Sequence, residues 1–149
     1  MKAVIQRVNR ASVKTEGRLI SEIGQGLLIL IGISPQDDMT DIEWLSNKIA
    51  NLRIFNDENQ IMNRSLIDMG ADAIIVSQFT LLANTKKGNR PSYINAAAPD
   101  LAIPLYEEFI RVFEKQVQKK VGTGSFGADM QIDLQNDGPV TIVIDTRNK

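Results

Sequence analysis

The stretch Ala73-Ile-Ile-Val-Ser-Gln-Phe-Thr-Leu-Leu-Ala83 begins apolar and turns polar without an intervening glycine or proline. Its first half predicts a buried β-strand, in which alternate side chains point to opposite faces. Continued through the second half, that alternation puts Gln78 and Thr80 on one face and Ser77 and Phe79 on the other. Buried hydroxyls and amides need hydrogen-bond partners, and strand ends are where sheets present groups to ligands. These polar side chains are therefore either capping groups for nearby backbone or the floor of a site.

The overall composition excludes several kinds of active site. The 149 residues, 43% hydrophobic and 23% charged, are typical of one globular domain spanning residues 1–149. Histidine and cysteine are both missing from the sequence, which excludes a Ser–His or Cys–His pair and makes a zinc centre unexpected. We expect no metal site and no cofactor. With a net charge of −1, any nucleic acid must be bound through a local patch.

No stretch predicts export or insertion into a membrane. Leu27–Ile33 is the longest strongly apolar run and is far too short to span a bilayer. Met1–Val8 lacks the apolar core and the cleavage site of a signal peptide. The lack of cysteine also fits the reducing environment of the cytosol. We therefore expect a cytoplasmic protein without membrane contacts.

The apolar patterns predict two main helices among several strands. Thr40-Asp-Ile-Glu43 fits a capping box for the start of the first helix. Pro104 is tolerated only in a first turn, so the second helix is expected to begin between Asp100 and Pro104 and to end near Lys120. Gly26–Ile33, a continuous apolar run, is expected to be a strand buried on both faces. Further strands are expected over Ala3–Val8, Ala11–Glu16, Leu19–Ile23, Leu52–Phe55, Asp129–Gln135 and Val140–Thr146, whereas Ile61–Met69 is expected to be irregular or a weak strand.

Two cationic features are consistent either with binding or with solvated charge. Arg7 lies in the first predicted strand. Its guanidinium either is half-buried and needs a planar hydrogen-bond acceptor, or extends along the surface of an edge strand and is solvated. Lys86, Lys87 and Arg90 share a loop that contains glycine and proline. Such a loop can hold a phosphate through its side chains and backbone N–H groups. Basic surface loops without a ligand are equally common.

Two glycine-containing segments near the C-terminus are ambiguous by themselves. Gly122–Gly127 lacks the spacing and the context of a dinucleotide-binding loop. Phe126 within it can stack on a base or anchor the loop in the core. Asn136-Asp-Gly-Pro-Val-Thr141 predicts a hairpin turn. The peptide bond between Gly138 and Pro139 can be cis or trans.

Taken together, Ser77–Ala83 and Asn136–Thr141 resemble the D-aminoacyl-tRNA deacylase family, also called the D-tyrosyl-tRNA deacylase family. Gln6-Arg7, Lys87–Ser92 and Gly124–Met130 are similar to further segments of that family, so the resemblance spans the chain. It implies an α/β fold in a single compact domain, with three layers (β/β/α), barrel-like mixed sheets and two main helices. It also implies a homodimer.

The resemblance further implies a hydrolase that acts on an ester bond. Members of the family cleave the ester that joins a D-amino acid to the 3′ end of tRNA, and they also act on glycyl-tRNA. The family proofreads chirality by excluding L-amino acids through a Gly-cisPro motif that one subunit inserts into the active site of the other. Selection of this kind works by blocking the wrong ligand.

The resemblance also implies roles for particular residues. The catalytic floor of the pocket is expected to comprise Ser77, Gln78, Phe79 and Thr80. Substrate binding is expected to involve Gly138, Pro139, Arg7, Phe126 and Met130. Within that second set, Arg7 would orient the Gly-Pro pair, whereas Phe126 and Met130 would form the pocket for the terminal adenosine. From charge alone, contacts with tRNA phosphates are expected at Lys86, Lys87 and Arg90.

Three questions stay open from the sequence. The catalytic step uses either Thr80 as a nucleophile, for which no activating base is evident, or a water molecule activated by the terminal 2′-hydroxyl. In the second case, backbone N–H groups near Phe79 and Thr80 would stabilise the oxyanion. The chain could instead be a nucleic-acid-binding module without turnover. If the Gly138–Pro139 bond is trans, the chain would instead be a relative of the deacylases that removes a misplaced L-amino acid from tRNA.

Overall fold

A 14-residue strand, β1 (Lys2–Thr15), is the element around which the other strands are arranged. The computed structural model describes residues 1–149. The other strands are β2 (Arg18–Ile23), β3 (Gly26–Gly32), β4 (Phe55–Asn56), β5 (Met62–Arg64), β6 (Asp72–Ser77), β7 (Gly122–Thr123) and β8 (Gln131–Asp145). The helices are α1 (Met39–Ala50), α2 (Leu66–Met69) and α3 (Pro99–Val117), and 3₁₀ turns cover Phe79–Leu82 and Thr146–Asn148. None of the helices combines the length and the apolar composition needed to cross a membrane.

The main sheet is mixed and nearly closes into a barrel. β1 pairs antiparallel with β2, β3 and β8, whereas β3–β6 and β6–β7 are parallel pairs. The strand order is β2-β1-β3-β6-β7, with β8 paired to β1. Its two ends meet where Ser21 Oγ donates to the Thr123 carbonyl at 2.6 Å and accepts from the Thr123 N–H at 2.9 Å. The predicted α/β class with a barrel-like mixed sheet is confirmed.

β3 is buried on both faces because the protein has two cores. Leu27 and Ile29 belong to a cluster of 21 buried residues between the sheet and the helices α1 and α3. Leu28, between them in sequence, belongs to a cluster of seven that it shares with Ile74 and Val76, inside the curled sheet. One helical layer and two β layers result. This arrangement confirms the three-layer prediction and the predicted burial of this strand on both faces.

β8 is one strand with a bulge, so the hairpin predicted at Asn136–Thr141 is wrong. Both halves of β8 run in the same direction along β1. Similarly, the strands predicted separately over Ala3–Val8 and Ala11–Glu16 form the single strand β1. In the β1–β8 register, Gln6 faces Thr141 and Val8 faces Asn136. Residues 137–140 therefore lie opposite the single residue Arg7. The Asn-Asp-Gly-Pro sequence marks a local bulge and not a reversal of the chain.

α1 and α2 each begin at a capping box that was not predicted from the sequence. The Asp38 carboxylate accepts hydrogen bonds from the N–H groups of Thr40 at 2.8 Å and Asp41 at 3.3 Å. The box predicted from Thr40 to Glu43 is therefore wrong by two residues. Ser65 and Asp68 form an equivalent box, which starts α2 in a segment predicted to be irregular or a weak strand.

The bounds of α3 and β4 also differ from the predicted ones. α3 begins at Pro99, and Pro104 lies inside the helix, beyond the first turn to which the sequence reading confined it. The helix ends before the predicted Lys120 because Gln118 adopts a left-handed conformation. The strand predicted over Leu52–Phe55 is reduced to the two residues of β4. The number and identity of the main helices are nevertheless as predicted.

The Met1 ammonium is buried in a cluster of charges at one end of β1. Its nitrogen lies 2.6 Å from Asp37 Oδ1 and donates to Thr146 Oγ1 at 2.6 Å. Arg147 adds a second cation, 2.7 Å from the same carboxylate oxygen. Burial alone would raise the pKa of Asp37. Hydrogen bonds from the ammonium and the Ser34 N–H, together with the ammonium charge, instead hold that pKa below its ordinary value of 3.8.

We expect Asp37→Asn to destabilise the protein more at neutral pH than at acid pH. Because the folded-state pKa of Asp37 is lowered, the stability that the carboxylate contributes is present above its unfolded-state pKa. That contribution is lost as the pH falls through the folded-state value. Urea unfolding of both proteins at about pH 6 and about pH 3 measures the difference in free energy of unfolding. The difference should shrink at the lower pH, and a constant difference would show that the charge of Asp37 is unimportant.

Candidate active site

β6 ends at Ser77, where the chain leaves the sheet. Ser77 pairs with Ile31 of β3, and the Gln78 N–H donates to the Ile31 carbonyl at 2.7 Å. A 3₁₀ turn begins immediately afterwards at Phe79. The alternation of faces predicted beyond Ser77 is therefore wrong. The polar side chains of Ser77, Gln78 and Thr80 lie instead on a tight segment, Ser77–Leu82, which we call the polar turn.

The polar turn presents hydrogen-bond donors at its start. The N–H groups of Phe79 and Thr80 open the 3₁₀ turn, and N–H groups at this position have no acceptor within the helix. The side-chain nitrogen of Gln78 donates to the Thr80 hydroxyl oxygen. Because the Thr80 oxygen is the acceptor in this bond, its hydroxyl proton can be donated to a different acceptor. The segment can thus direct two backbone donors and a hydroxyl donor at a ligand.

Gly32 of β3 allows the polar turn to lie against the sheet. A Cβ atom at this position would lie 2.4 Å from Leu82 Cδ2 and 3.0 Å from both the Gln78 carbonyl oxygen and Leu81 Cβ. These separations are shorter than ordinary van der Waals contact. A glycine inside an apolar strand is a known signal of close backbone approach, and here it identifies the strand that supports the turn.

A cavity of about 590 Å³ opens beside the polar turn. Five of the predicted site residues line it, namely Ser77, Gln78, Phe79, Phe126 and Met130. Twelve of the sixteen lining residues are hydrophobic, so the polar groups are concentrated where the turn forms the wall. A mostly apolar chamber of this size with a few convergent polar groups is typical of a small-molecule site and can hold a nucleoside.

Phe126 and Met130 are fixed from behind the cavity. The Phe126 ring packs on Tyr106 with 5.8 Å between centroids, and the Tyr106 hydroxyl donates to the Ile75 carbonyl at 2.7 Å. Burial raises the pKa of Tyr106 to about 12, so this hydroxyl remains a donor at neutral pH. Met130 Sδ accepts from the Ser125 N–H at 3.4 Å. Phe126 is therefore both a core anchor and a wall of the cavity.

Arg7 is buried and holds the bulge of β8. Only 5% of the residue is exposed, so its charge does not reach out to solvent. Nε lies 3.1 Å from Asp137 Oδ2 and donates to the Asp137 carbonyl at 3.2 Å, while Nη1 donates to the Ile54 carbonyl at 2.6 Å. Gly138 and Pro139 follow, joined by a cis peptide bond and exposed. Neither of them lines the cavity of its own chain.

An exposed loop beside the cavity carries the three cations predicted to contact phosphates, Lys86, Lys87 and Arg90. Backbone hydrogen bonds of 2.7 and 3.0 Å between Asn84 and Ser92 close this loop, which we call the basic loop (Asn84–Ser92). Tyr93 follows directly and lines the cavity. The basic loop is therefore joined directly to a cavity-lining residue, although none of its three cations lines the cavity.

A model of the family described as D-Tyr-tRNA(Tyr) deacylase matches residues 4–145. This chain belongs to that family. A D-aminoacyl-tRNA deacylase of Parabacteroides distasonis is 59% identical over all of this chain and 99% of the relative. Another, from Flavobacterium johnsoniae, is 57% identical with the same coverage. Membership in the deacylase family confirms the enzyme class predicted from the sequence, a hydrolase of the aminoacyl-tRNA ester bond.

Two solved structures share the architecture of this deacylase-family member. One, named c-Myc DNA Unwinding Element Binding Protein, is 42% identical and superimposes with a TM-score of 0.93 over 98% of this chain and 99% of the other. The second is described as a probable eukaryotic D-amino acid tRNA deacylase. It is 17% identical, with a TM-score of 0.82 over 96% of this chain and 97% of the other, and shows the fold alone.

In this deacylase-family chain, the predicted site residues fall in three places. Ser77, Gln78 and Phe79 meet Phe126 and Met130 at the cavity, whereas Thr80 lies in the polar turn without lining the cavity. The basic loop lies outside the cavity, and Arg7 lies with the Gly-Pro pair at the bulge. The sequence reading missed the support given by Gly32 and Tyr106. An isolated glycine in a strand was the available signal for Gly32. No sequence signal identified Tyr106, because its hydroxyl partner is a backbone carbonyl distant in sequence.

Proposed function

We propose that the cavity binds the terminal adenosine of D-aminoacyl-tRNA and that the polar turn holds the ester to be hydrolysed. The supporting observation is that the 3₁₀ turn opened by the N–H groups of Phe79 and Thr80 begins at Phe79, which lines an apolar chamber of about 590 Å³. Phe126 and Met130 provide apolar walls for a purine. Glycyl-tRNA is a further substrate, because glycine has no side chain to exclude. Since charged tRNA is used in translation, the proposed place of action is the cytoplasm.

We infer that chirality is selected by Gly138 and Pro139 of a second subunit in a homodimer. These residues are exposed and stand apart from the cavity of their own chain, while Arg7 fixes the base of their bulge. A rigid, exposed element without a partner in its own chain is suited to insertion into a neighbour. Its backbone carbonyls would accept from the substrate ammonium. An L side chain would then be driven into backbone, whereas a D side chain would point outward.

Mixing two inactive variants tests this cross-subunit arrangement. Gly32→Ala places a Cβ atom 3.0 Å from the Gln78 carbonyl oxygen and from Leu81 Cβ, so it displaces the polar turn of its own subunit. Gly138→Val introduces a side chain where φ is +127° and Val140 Cγ2 would lie 2.8 Å from the new Cβ. Each homodimer should be nearly inactive. After refolding an equal mixture, heterodimers with one intact site should restore about a quarter of wild-type activity. Heterodimers that form but recover no activity would contradict the arrangement.

Within this proposal, water and not Thr80 is the attacking nucleophile. The Thr80 oxygen already accepts a hydrogen bond from Gln78, and the polar turn contains no carboxylate or imidazole to take its proton. The 2′-hydroxyl of the terminal ribose would help to activate the water. The N–H groups of Phe79 and Thr80 would stabilise the oxyanion as it forms.

We expect Thr80→Ala to lower kcat by only about 2- to 10-fold, the effect of one lost hydrogen bond. Rapid-quench experiments with D-tyrosyl-tRNA labelled in the amino acid would measure the rate and detect any label bound to protein. Thr80→Ser, which keeps the hydroxyl, serves as the matched control. Complete loss of activity in folded Thr80→Ala, restored in Thr80→Ser together with a trapped acyl-enzyme, would establish Thr80 as the nucleophile instead.

The second candidate is nucleic-acid binding without turnover. It is favoured by the name of the solved structure that is 42% identical, which refers to binding of a DNA element. Its weakness is the net charge of −1, because binding would then depend on a local cationic patch such as the basic loop. In the deacylase proposal, Lys86, Lys87 and Arg90 bind phosphates of the acceptor end. Steeply salt-dependent binding to generic RNA or DNA, without release of an amino acid, would favour the second candidate.

A further inference from the structure

Two aromatic side chains at the cavity are not explained by the hydrolytic step. The rings of Phe79 and Tyr93 meet edge to face, with centroids 5.0 Å apart and an interplanar angle of 74°. Both residues line the cavity, yet 56% of Phe79 and 40% of Tyr93 are exposed. Large aromatic side chains normally bury their surface. In the single chain this pair instead leaves aromatic surface uncovered beside the cavity proposed to bind the substrate.

The surroundings of Tyr93 hold it firmly between the cavity and the basic loop. Its carbonyl accepts from the Ala96 N–H at 2.9 Å, and the Ala97 N–H donates to the Ile33 carbonyl at 2.8 Å, which ties this segment to the end of β3. On its other side, Ser92 closes the basic loop. Aromatic rings next to cations are the combination by which proteins bind single-stranded nucleic acid, because bases stack on the rings while cations contact phosphates.

We propose that Phe79 and Tyr93 form a stacking platform for the nucleobase that precedes the terminal adenosine of tRNA. This inference rests on the proposed placement of the terminal adenosine in the cavity. Phe79 and Tyr93 line the cavity and are also exposed, and Tyr93 directly follows the basic loop. A polynucleotide whose last nucleoside is in the cavity and whose phosphates contact the basic loop would therefore pass this aromatic pair. Because stacking does not depend on hydrogen bonds to base edges, the platform serves any tRNA.

Binding of two unreactive ligands isolates the contribution of the preceding nucleotide. Calorimetry would compare adenosine with the dinucleotide cytidylyl-(3′→5′)-adenosine. The wild-type protein should bind the dinucleotide about tenfold more tightly than adenosine. Tyr93→Leu keeps apolar bulk at the cavity wall but removes the ring, so the ratio of the two affinities should fall from about ten to about one. Tyr93→Phe, which keeps the ring, should retain the gain.

Equal affinities of the wild-type protein for the two ligands would overturn the platform, as would a gain that survives in Tyr93→Leu. If Tyr93→Leu weakened the binding of both ligands equally and so preserved their ratio, Tyr93 would merely shape the cavity and the platform would be overturned. Ile61→Ala, at a site that is 61% exposed and does not line the cavity, is the control and should bind both ligands as the wild type does. Hydrolysis of D-tyrosyl-adenosine, which has no preceding nucleotide, tests the proposed function separately.

Discussion

Gly32→Ala should slow the deacylation of D-tyrosyl-tRNA about 100-fold while the protein remains folded. The added Cβ atom would lie 2.4 Å from Leu82 Cδ2, a flexible side-chain end that can move aside. It would also lie 3.0 Å from the Gln78 carbonyl and from Leu81 Cβ, which can make room only by shifting the polar turn. That shift moves the N–H groups of Phe79 and Thr80 away from the oxyanion they are proposed to hold.

Single-turnover rates with saturating D-tyrosyl-tRNA would measure the effect of Gly32→Ala on the chemical step. Circular dichroism and a urea titration would establish that the variant is folded. Gly24→Ala is the matched control, because a Cβ at Gly24 has no neighbour within 4 Å and the residue does not need a positive φ. The control should match the wild type. A folded Gly32→Ala protein with wild-type rates would show that the position of the polar turn does not govern hydrolysis.

Gly26→Ala should destabilise the protein by about 3 kcal/mol or more, which is a large part of the stability of a domain of this size. A Cβ at Gly26 would lie 2.0 Å from the carbonyl oxygen of Asp72 and 2.7 Å from its carbonyl carbon. These are backbone atoms at the first pair of the parallel β3–β6 ladder, so no side-chain rotation can relieve the contact. The ladder must therefore open at this end.

The midpoint and slope of urea unfolding, monitored by circular dichroism, would measure this loss for Gly26→Ala. Gly24→Ala again provides the comparison, two residues earlier in the chain and with open space around the added methyl group. The midpoint should fall sharply for Gly26→Ala and hardly change for Gly24→Ala. If both variants unfolded at the same urea concentration, the close approach of β3 to β6 would not be important for stability.

Strands and helices whose positions are determined by the burial of apolar side chains were predicted well from the sequence. The continuous run of β3 has to be buried on both faces, and its residues do alternate between the two cores. The helices α1 and α3 follow from their apolar stripes, although their ends do not. The residues alone left Ser77 and Gln78 as either capping groups or the floor of a site, and the family resemblance favoured the site. In the structure both residues line the cavity, together with Phe79.

Features decided by long-range pairing could not be predicted in the same way. The 3₁₀ turn at Phe79 contains no glycine or proline, and it forms because Gly32 on another strand leaves room for it. The bulge at residues 137–140 has the local sequence of a hairpin turn. It becomes a bulge because both halves of β8 pair with the same long strand and Arg7 occupies the gap between them.

Discrimination between D- and L-tyrosine is the property on which the proposed function depends. The purified protein would be given matched D-tyrosyl-tRNA and L-tyrosyl-tRNA, with and without EDTA, and the released amino acid would be measured over time. We predict rapid release of D-tyrosine, sparing of L-tyrosyl-tRNA and no effect of EDTA. Release of both amino acids at equal rates, or of neither from a folded dimer, would contradict the proposal.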